Sequence, residues 1–266
     1  GGQSKAPPPA VHPASNINGI IGVNKPSNWT SFDVVAKVRS TLGKHIREQN
    51  PDLSYKQCRI KVGHGGTLDP AATGVLVVGI GRGTKLMEVY TKGSKSYKAV
   101  GVFGFETDTC DAEGQQSGET KDYSHITQEK IEEVLKKFEG DIMQVPPQYS
   151  ALKIDGKRAY KLAREGIEVE MVARKVVIHE IAMTQPYSET SPAFEFDVSC
   201  GGGTYIRSLV RDIGRELGSA AHMQSLQRVK QGEFTLDDCL KETDIFDAQA
   251  ILEELPKSTA RLEMKV

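Results

Sequence analysis

Apolar and polar positions along the chain change their period repeatedly, and each change marks an element. GIIGVNK (19–25) is a short apolar run stopped by Pro26, which predicts a buried strand. Residues 27–31 read as a turn, and Thr30 or Ser31 can cap a helix through Leu42 with Val34, Val35 and Val38 along it. Over 43–60 the period is lost, and that stretch reads as an irregular surface excursion. A glycine-dense turn (63–66) leads into an apolar strand at 74–80, a short helix near 84–90 and a strand with aromatic residues at 96–105. TDTCDAEG (107–114) is an acidic turn. Residues 127–140 predict a helix, with Thr127 at its start, Ile131, Val134, Leu135 and Phe138 on one face, and Gly140 at its end. A strand at 194–200 runs into three glycines, and a helix follows over about 204–217. Strands and helices mix without strict βαβ alternation, so the expected class is α+β or a mixed sheet, not a doubly wound one.

Composition divides the chain further. Residues 1–18 are rich in Pro, Gly, Ala and Ser and predict a disordered leader before a domain at 19–232. The stretch 141–183 alternates Pro-containing, basic and β-branched segments, and the tail 233–266 is acidic and expected to be helical in patches. With 266 residues a sizeable core is available. No run of about 18 apolar residues exists, which excludes a membrane-spanning helix. The four cysteines form no CxxC or Cys/His cluster, so no structural zinc is expected. The net charge is −1, which alone argues against a simple basic nucleic-acid binder. That average hides an asymmetry. Residues 19–104 hold 13 Lys and Arg against 5 Asp and Glu, whereas 105–266 hold 20 against 30.

Three segments can carry chemistry. In KVGHGGTLDPAATGVLVVGIG (61–81), glycines permit close backbone approach around Asp69, and Pro70 restrains Asp69 to an extended conformation. A carboxylate aimed from a rigid turn suits nucleophilic or general-base work, and the competing reading is a turn Asp that satisfies its own backbone. No GxxxxGK[ST] phosphate loop matches here, and the spacing of His64, Asp69 and Asp33 is not a metal-ligand pattern. In CGGGTYIRSLVRDIGRELG (200–218), Tyr205 and Arg207 open a helix. An arginine at that junction can hold a neighbouring carboxylate ionised or meet a phosphate. In QVPPQYSALKIDGKRAYKLAREGIEVE (144–170), Lys153, Lys157, Arg158, Lys161 and Arg164 are interleaved with Tyr149 and Tyr160. Cations and rings on a protruding loop suit RNA, and the plain alternative is an amphipathic hairpin with ordinary surface charge.

Together these segments resemble the TruB family of tRNA pseudouridine synthases. VNKP (23–26), GHGGTLDPAATGVL (63–76), SYKA (96–99), TDTCDAEG (107–114), PPQYSALK (146–153) and GGTYIRSLVRDIG (202–214) occur in the family's order. The resemblance implies a pseudouridine synthase fold, with a mixed, mostly antiparallel sheet flanked by helices. It also implies an RNA-gripping insertion at about 145–173 and a role for each site residue. Asp69 is the expected catalytic aspartate, acting as nucleophile or base. Tyr97 stacks on the flipped uridine, and Arg207 pairs with Asp69. His64 fills the space the uridine vacates, Lys25 and Pro26 belong to a supporting loop, and Leu226 and Arg228 line the pocket. Tyr149, Lys153, Lys157, Arg158 and Tyr205 join the RNA-binding set.

The expected activity is isomerisation of uridine 55 in the T loop of tRNA to pseudouridine, with similar stem-loops in other RNAs such as mRNA as further substrates. The resemblance implies no cofactor, no metal, no membrane, no guide RNA and a monomer, in the nucleus or cytosol, with the mitochondrion left open. Relatives in bacteria carry a C-terminal PUA-type RNA-binding domain, for which 233–266 is too short. Two rivals stand beside this reading: an RNA-binding or RNA-folding module, and a guide-dependent synthase of the box H/ACA type.

Overall fold

A computed structural model describes residues 12–154 and 156–263. Its elements run β1 (Gly19–Lys25), α1 (Ser31–Gln49), β2 (Val62–His64), β3 (Thr73–Ile80), a 3-10 helix (Gly81–Leu86), α2 (Met87–Lys92) and β4 (Lys95–Phe103). There follow β5 (Glu106–Thr107), β6 (Gln116–Ser117), α3 (Gln128–Lys137), β7 (Gly140–Gln144), β8 (Lys153–Ile154), β9 (Lys157–Arg158) and α4 (Ala159–Arg164). The chain continues through β10 (Arg174–Met183), β11 (Ala193–Cys200), α5 (Ile206–Glu216), β12 (Ala221–Gln231), β13 (Phe234–Thr235), β14 (Cys239–Leu240) and α6 (Ala248–Glu263).

One ten-stranded sheet organises the molecule in the order β14-β1-β3-β12-β4-β11-β10-β7, with β2 on β3 and β13 on β12. Most pairs are antiparallel; β12–β3 and β1–β14 are parallel. This is the expected α+β class, a mixed sheet flanked by helices. Residue alternation assigns the faces. On β3, Leu76, Val78 and Ile80 face α1 and α6, while Val75 and Val77 pack with Met87, Tyr90 and Phe234. That two-sided burial explains why the strand reads as a continuous apolar run. Farther along the sheet, α3 and α5 cover β4, β10, β11 and β12 around Phe103, Phe194 and Phe196. Among the described residues no helix is long and apolar enough to cross a membrane.

Several expectations need correction. Helix α1 continues to Gln49, because Ile46 extends the buried stripe of Val35, Val38 and Leu42. The excursion is thus confined to 50–61, and even there Cys58 and Ile60 turn into the core. The helix expected to reach 140 ends at Lys137, and Gly140, at φ +88°, starts the edge strand β7 instead. The expected helix near 84–90 is a 3-10 turn followed by α2. Of the expected leader, 1–11 lie outside the described residues. Residues 12–18 pack on the domain: Ala14 is buried, and the Asn18 side chain accepts the Arg82 N–H at 2.8 Å. The acidic tail is more than helical patches, since β13 and β14 join the sheet and α6 packs on β1 and α1.

Candidate active site

The turn carrying Asp69 is held from below by the loop between β1 and α1. The Ser31 hydroxyl accepts the Leu68 N–H at 2.9 Å and donates to the Leu68 carbonyl at 3.2 Å. The Asn28 N–H donates to the Pro70 carbonyl at 2.9 Å, and the Ser27 hydroxyl to the Ala71 carbonyl at 3.2 Å. Lys25 is fully buried, and its ammonium donates to the carbonyls of Pro26, Trp29 and Pro70 at 2.8, 2.6 and 3.0 Å. Burial lowers its pKa to about 8, against a raising contribution from Asp69. All three of its bonds are internal, so here Lys25 fastens the loop around Pro26 to the Asp69 turn and offers no free donor to a ligand. The loop's own geometry explains the Asn28 position, which adopts a positive φ of 65° tolerated by Asn.

Asp69 meets Arg207 across 138 residues of sequence. Arg207 Nε donates to Asp69 Oδ2 at 2.8 Å and Nη2 to Oδ1 at 3.2 Å, a bidentate pair. The guanidinium also donates to the carbonyls of Thr109 and Tyr149, both at 2.9 Å. Its side chain is 6% exposed, whereas that of Asp69 is 31% exposed. The arginine is thus a buried anchor, and the carboxylate presents its remaining surface to solvent. A second carboxylate, Asp111, stands 3.8 Å from Arg207 Nε. The segment 107–114, read from the sequence as an acidic turn and as one block of the family resemblance, brings Thr109 and Asp111 to the arginine.

Beneath this pair lies the strand β4. Tyr97 is buried with Leu68, Ala72 and Leu226, opposite Arg228 on β12. Burial raises its phenol above the ordinary range, opposed by the Arg228 guanidinium, so the phenol is neutral at neutral pH. Arg228 is itself 1% exposed, with Nε on the Val75 carbonyl at 2.7 Å and Nη2 on the Gly66 carbonyl at 3.1 Å. Its hydrogen bonds fasten strand β3 and the glycine turn from beneath Tyr97, the side of the site on which the resemblance places a pocket lining. Leu226 likewise belongs to the core beside Tyr97. Gly74, at φ +109°, permits the approach of β12 to β3, because a Cβ there would overlap the Arg228 backbone. Half-buried His64 accepts the Gly66 N–H on Nδ1 at 3.3 Å. Burial, then Arg228, lowers its pKa, so the ring is neutral.

The remaining residues sit on the insertion side. Tyr205 is the N-cap of α5, and Tyr149 is half-buried with its carbonyl on Arg207. Lys153, Lys157 and Arg158 lie on the β8–β9 hairpin with exposed side chains and form no ion pair among the described residues. The structure therefore brings Asp69, Arg207, Tyr97, Tyr149 and Tyr205 together and leaves the hairpin cations exposed, with Arg158 also donating to the Ala151 carbonyl. Among the described residues no group of three or more His, Cys, Asp or Glu could hold a metal ion.

A family profile described as the TruB family pseudouridylate synthase N-terminal domain matches residues 54–206, and the tRNA pseudouridylate synthase B C-terminal domain matches 207–263. The chain is 45% identical over 251 residues to pseudouridylate synthase TRUB1 of Mus musculus, covering 93% of this chain and 72% of that one. It is 43% identical over 233 residues to tRNA pseudouridine synthase B of Bacillus pumilus, covering 87% and 71%. A solved Cbf5-Nop10-Gar1 complex has a chain similar at TM-score 0.62 and 29% identity, covering 91% of this chain and 57% of that one.

Proposed function

The chain belongs to the TruB family of pseudouridylate synthases, and from that premise we propose that it isomerises uridine 55 in the T loop of tRNA without a guide RNA. The observation that carries this reading is the Asp69–Arg207 pair, with one partner buried and the other partly open to solvent. A uridine stacked in a folded loop is out of reach of a carboxylate, so it must be extruded at a cost of a few kcal/mol. Contact with the Tyr97 ring can return about 1–3 kcal/mol of that cost. His64, neutral and beside the glycine turn, suits filling the space the base leaves.

With the uridine extruded, Asp69 attacks the base or abstracts a sugar proton; in either case the C–N glycosidic bond breaks, the base turns, and a bond forms to C5. The proton on C5 is then lost while the freed N1 takes one up, and the Asp69 carboxylate is regenerated, so substrate and product have the same atoms. Arg207 fixes the direction of the carboxylate by binding both oxygens, which is worth most where water is excluded. The neutral Tyr97 phenol stays close to the ring without adding charge. The exposed cations of the β8–β9 hairpin suit the phosphates of the T arm, and similar stem-loops in other RNAs fit the same description.

Guide-free action is supported by the higher identity to relatives named TRUB1 and tRNA pseudouridine synthase B than to Cbf5. The test is purified chain with an unmodified T-arm transcript and no other protein or RNA. Pseudouridine at position 55 is the expected product. Turnover that requires an added guide RNA contradicts the reading.

A further inference from the structure

Helix α5, which carries Arg207 in its first turn, opens without a side-chain cap of its own. In place of a local cap stands Gln144, the last residue of β7, buried in the core. Its Oε1 accepts the Tyr205 N–H at 2.8 Å, and its Nε2 donates to the Tyr205 carbonyl at 3.1 Å. One side-chain amide thus binds both backbone groups of the N-cap residue from 61 residues away in sequence: it alone accepts the N–H, and it joins the Leu209 N–H (3.0 Å) on the carbonyl.

The seam continues along the leading arm of the insertion. The Val145 carbonyl accepts the Ser208 hydroxyl at 2.9 Å and Arg211 Nη2 at 3.0 Å. The Tyr149 carbonyl accepts Arg207 Nη2 at 2.9 Å, and that same nitrogen reaches Asp69 Oδ1 at 3.2 Å. Gln148 Nε2 then donates to the Val169 carbonyl at 2.6 Å, joining the leading arm to the returning one. From the insertion to the carboxylate there is therefore a connected seam of hydrogen bonds, and Gln144 is its fixed point on the sheet.

We propose that Gln144 is a positioning residue for pseudouridine formation: it locks the start of α5 to the insertion, so that Arg207 aims Asp69 only while the leading arm of the insertion is seated. The proposal rests on the function proposed above. Misplacement of a catalytic group by about 1 Å costs on the order of 10²-fold in rate. Loss of the lock lets the first turn of α5 pivot at Tyr205 while the hairpin cations keep their hold on RNA.

Gln144→Leu and Gln144→Met fill the volume of the amide and remove both bonds. In either variant, single-turnover formation of pseudouridine in a T-arm RNA should fall about 10- to 100-fold, with RNA Kd changed less than about threefold. In an Arg207→Lys background, which already lacks the fork, the same replacement should slow the reaction less than about twofold further. An unchanged rate, a loss confined to RNA binding, or losses that multiply in the double variant would each overturn the proposal. So would failure of both variants to fold, because Gln144 would then serve global stability. If wild-type protein forms no pseudouridine at all, the functional reading fails, and hydrogen exchange still decides the lock. Gln144→Leu should speed exchange of the α5 first-turn amides and leave α3 unchanged, and unchanged α5 exchange refutes it.

Discussion

At the scale of single residues, the site depends on how its buried charges are used. Arg207 divides its donors between one carboxylate and two carbonyls, a fork-shaped task that an ammonium cannot reproduce. Arg207→Lys keeps the charge and should lower single-turnover rate by roughly 10²–10³-fold with RNA Kd changed less than about threefold. A rate within about twofold of wild type would show that the fork does not aim Asp69. Lys25 gives a pH-dependent counterpart. Its folded pKa is about 8, below the ordinary lysine value near 10.4, so between these values the unfolded chain binds more protons. Protonated Lys25 opposes folding relative to its neutral form, and wild type gains stability as pH rises through that window. Met cannot titrate there. The stability advantage of wild type over Lys25→Met, followed by urea unfolding, should therefore widen from pH 8 to pH 10. A pH-independent difference contradicts the lowered pKa. The pairing of Arg207 was legible only through the family's motifs, and Lys25 only as part of a supporting loop. That three carbonyls from separated positions hold its ammonium inside is supplied only by the fold.

Among elements, what the sequence made legible follows from period and length. β1 and β3 are apolar runs bounded by Pro26 and by glycines, and both form within a residue of their expected ends. The start of α1 was legible through Thr30, whose hydroxyl accepts the Asp33 N–H at 3.0 Å in a capping box. Its end was not, because Gly43 and the polar residues after it obscure Ile46. Strands β13 and β14 have two residues each, too short for any period to register. The meeting of Asp69 with Arg207 was legible only through the family's motifs, since no spacing rule links residues 138 apart. Gly74 belongs to this scale too. It lets β12 lie beside β3 and so places Arg228 under the site. Gly74→Ala should destabilise the fold by about 3 kcal/mol or more, through both the positive φ and the overlap with backbone. Chemical denaturation measures this, and a loss below about 1 kcal/mol would mean that the two strands can separate at little cost.

For the molecule as a whole, net charge proved a poor guide because it averages a basic N-terminal part with an acidic remainder. The Asp69 turn sits in the basic part, and the insertion adds exposed cations from the acidic one. RNA affinity should accordingly fall with salt. Replacing Lys153, Lys157 and Arg158 together by Gln should lower the slope of log Kd against log salt by about 0.7–0.9 for each phosphate that the hairpin no longer neutralises. Turnover at saturating RNA should stay within about threefold. An unchanged slope would move the RNA off the hairpin. The same division of labour frames the central claim, that the molecule grips RNA by its insertion and performs chemistry by one aimed carboxylate. Asp69→Asn tests it most directly, because it keeps shape and leaves the hairpin intact. The account predicts T-arm RNA bound within about threefold of wild-type Kd and no pseudouridine formed; turnover by Asp69→Asn at a rate near wild type would contradict it.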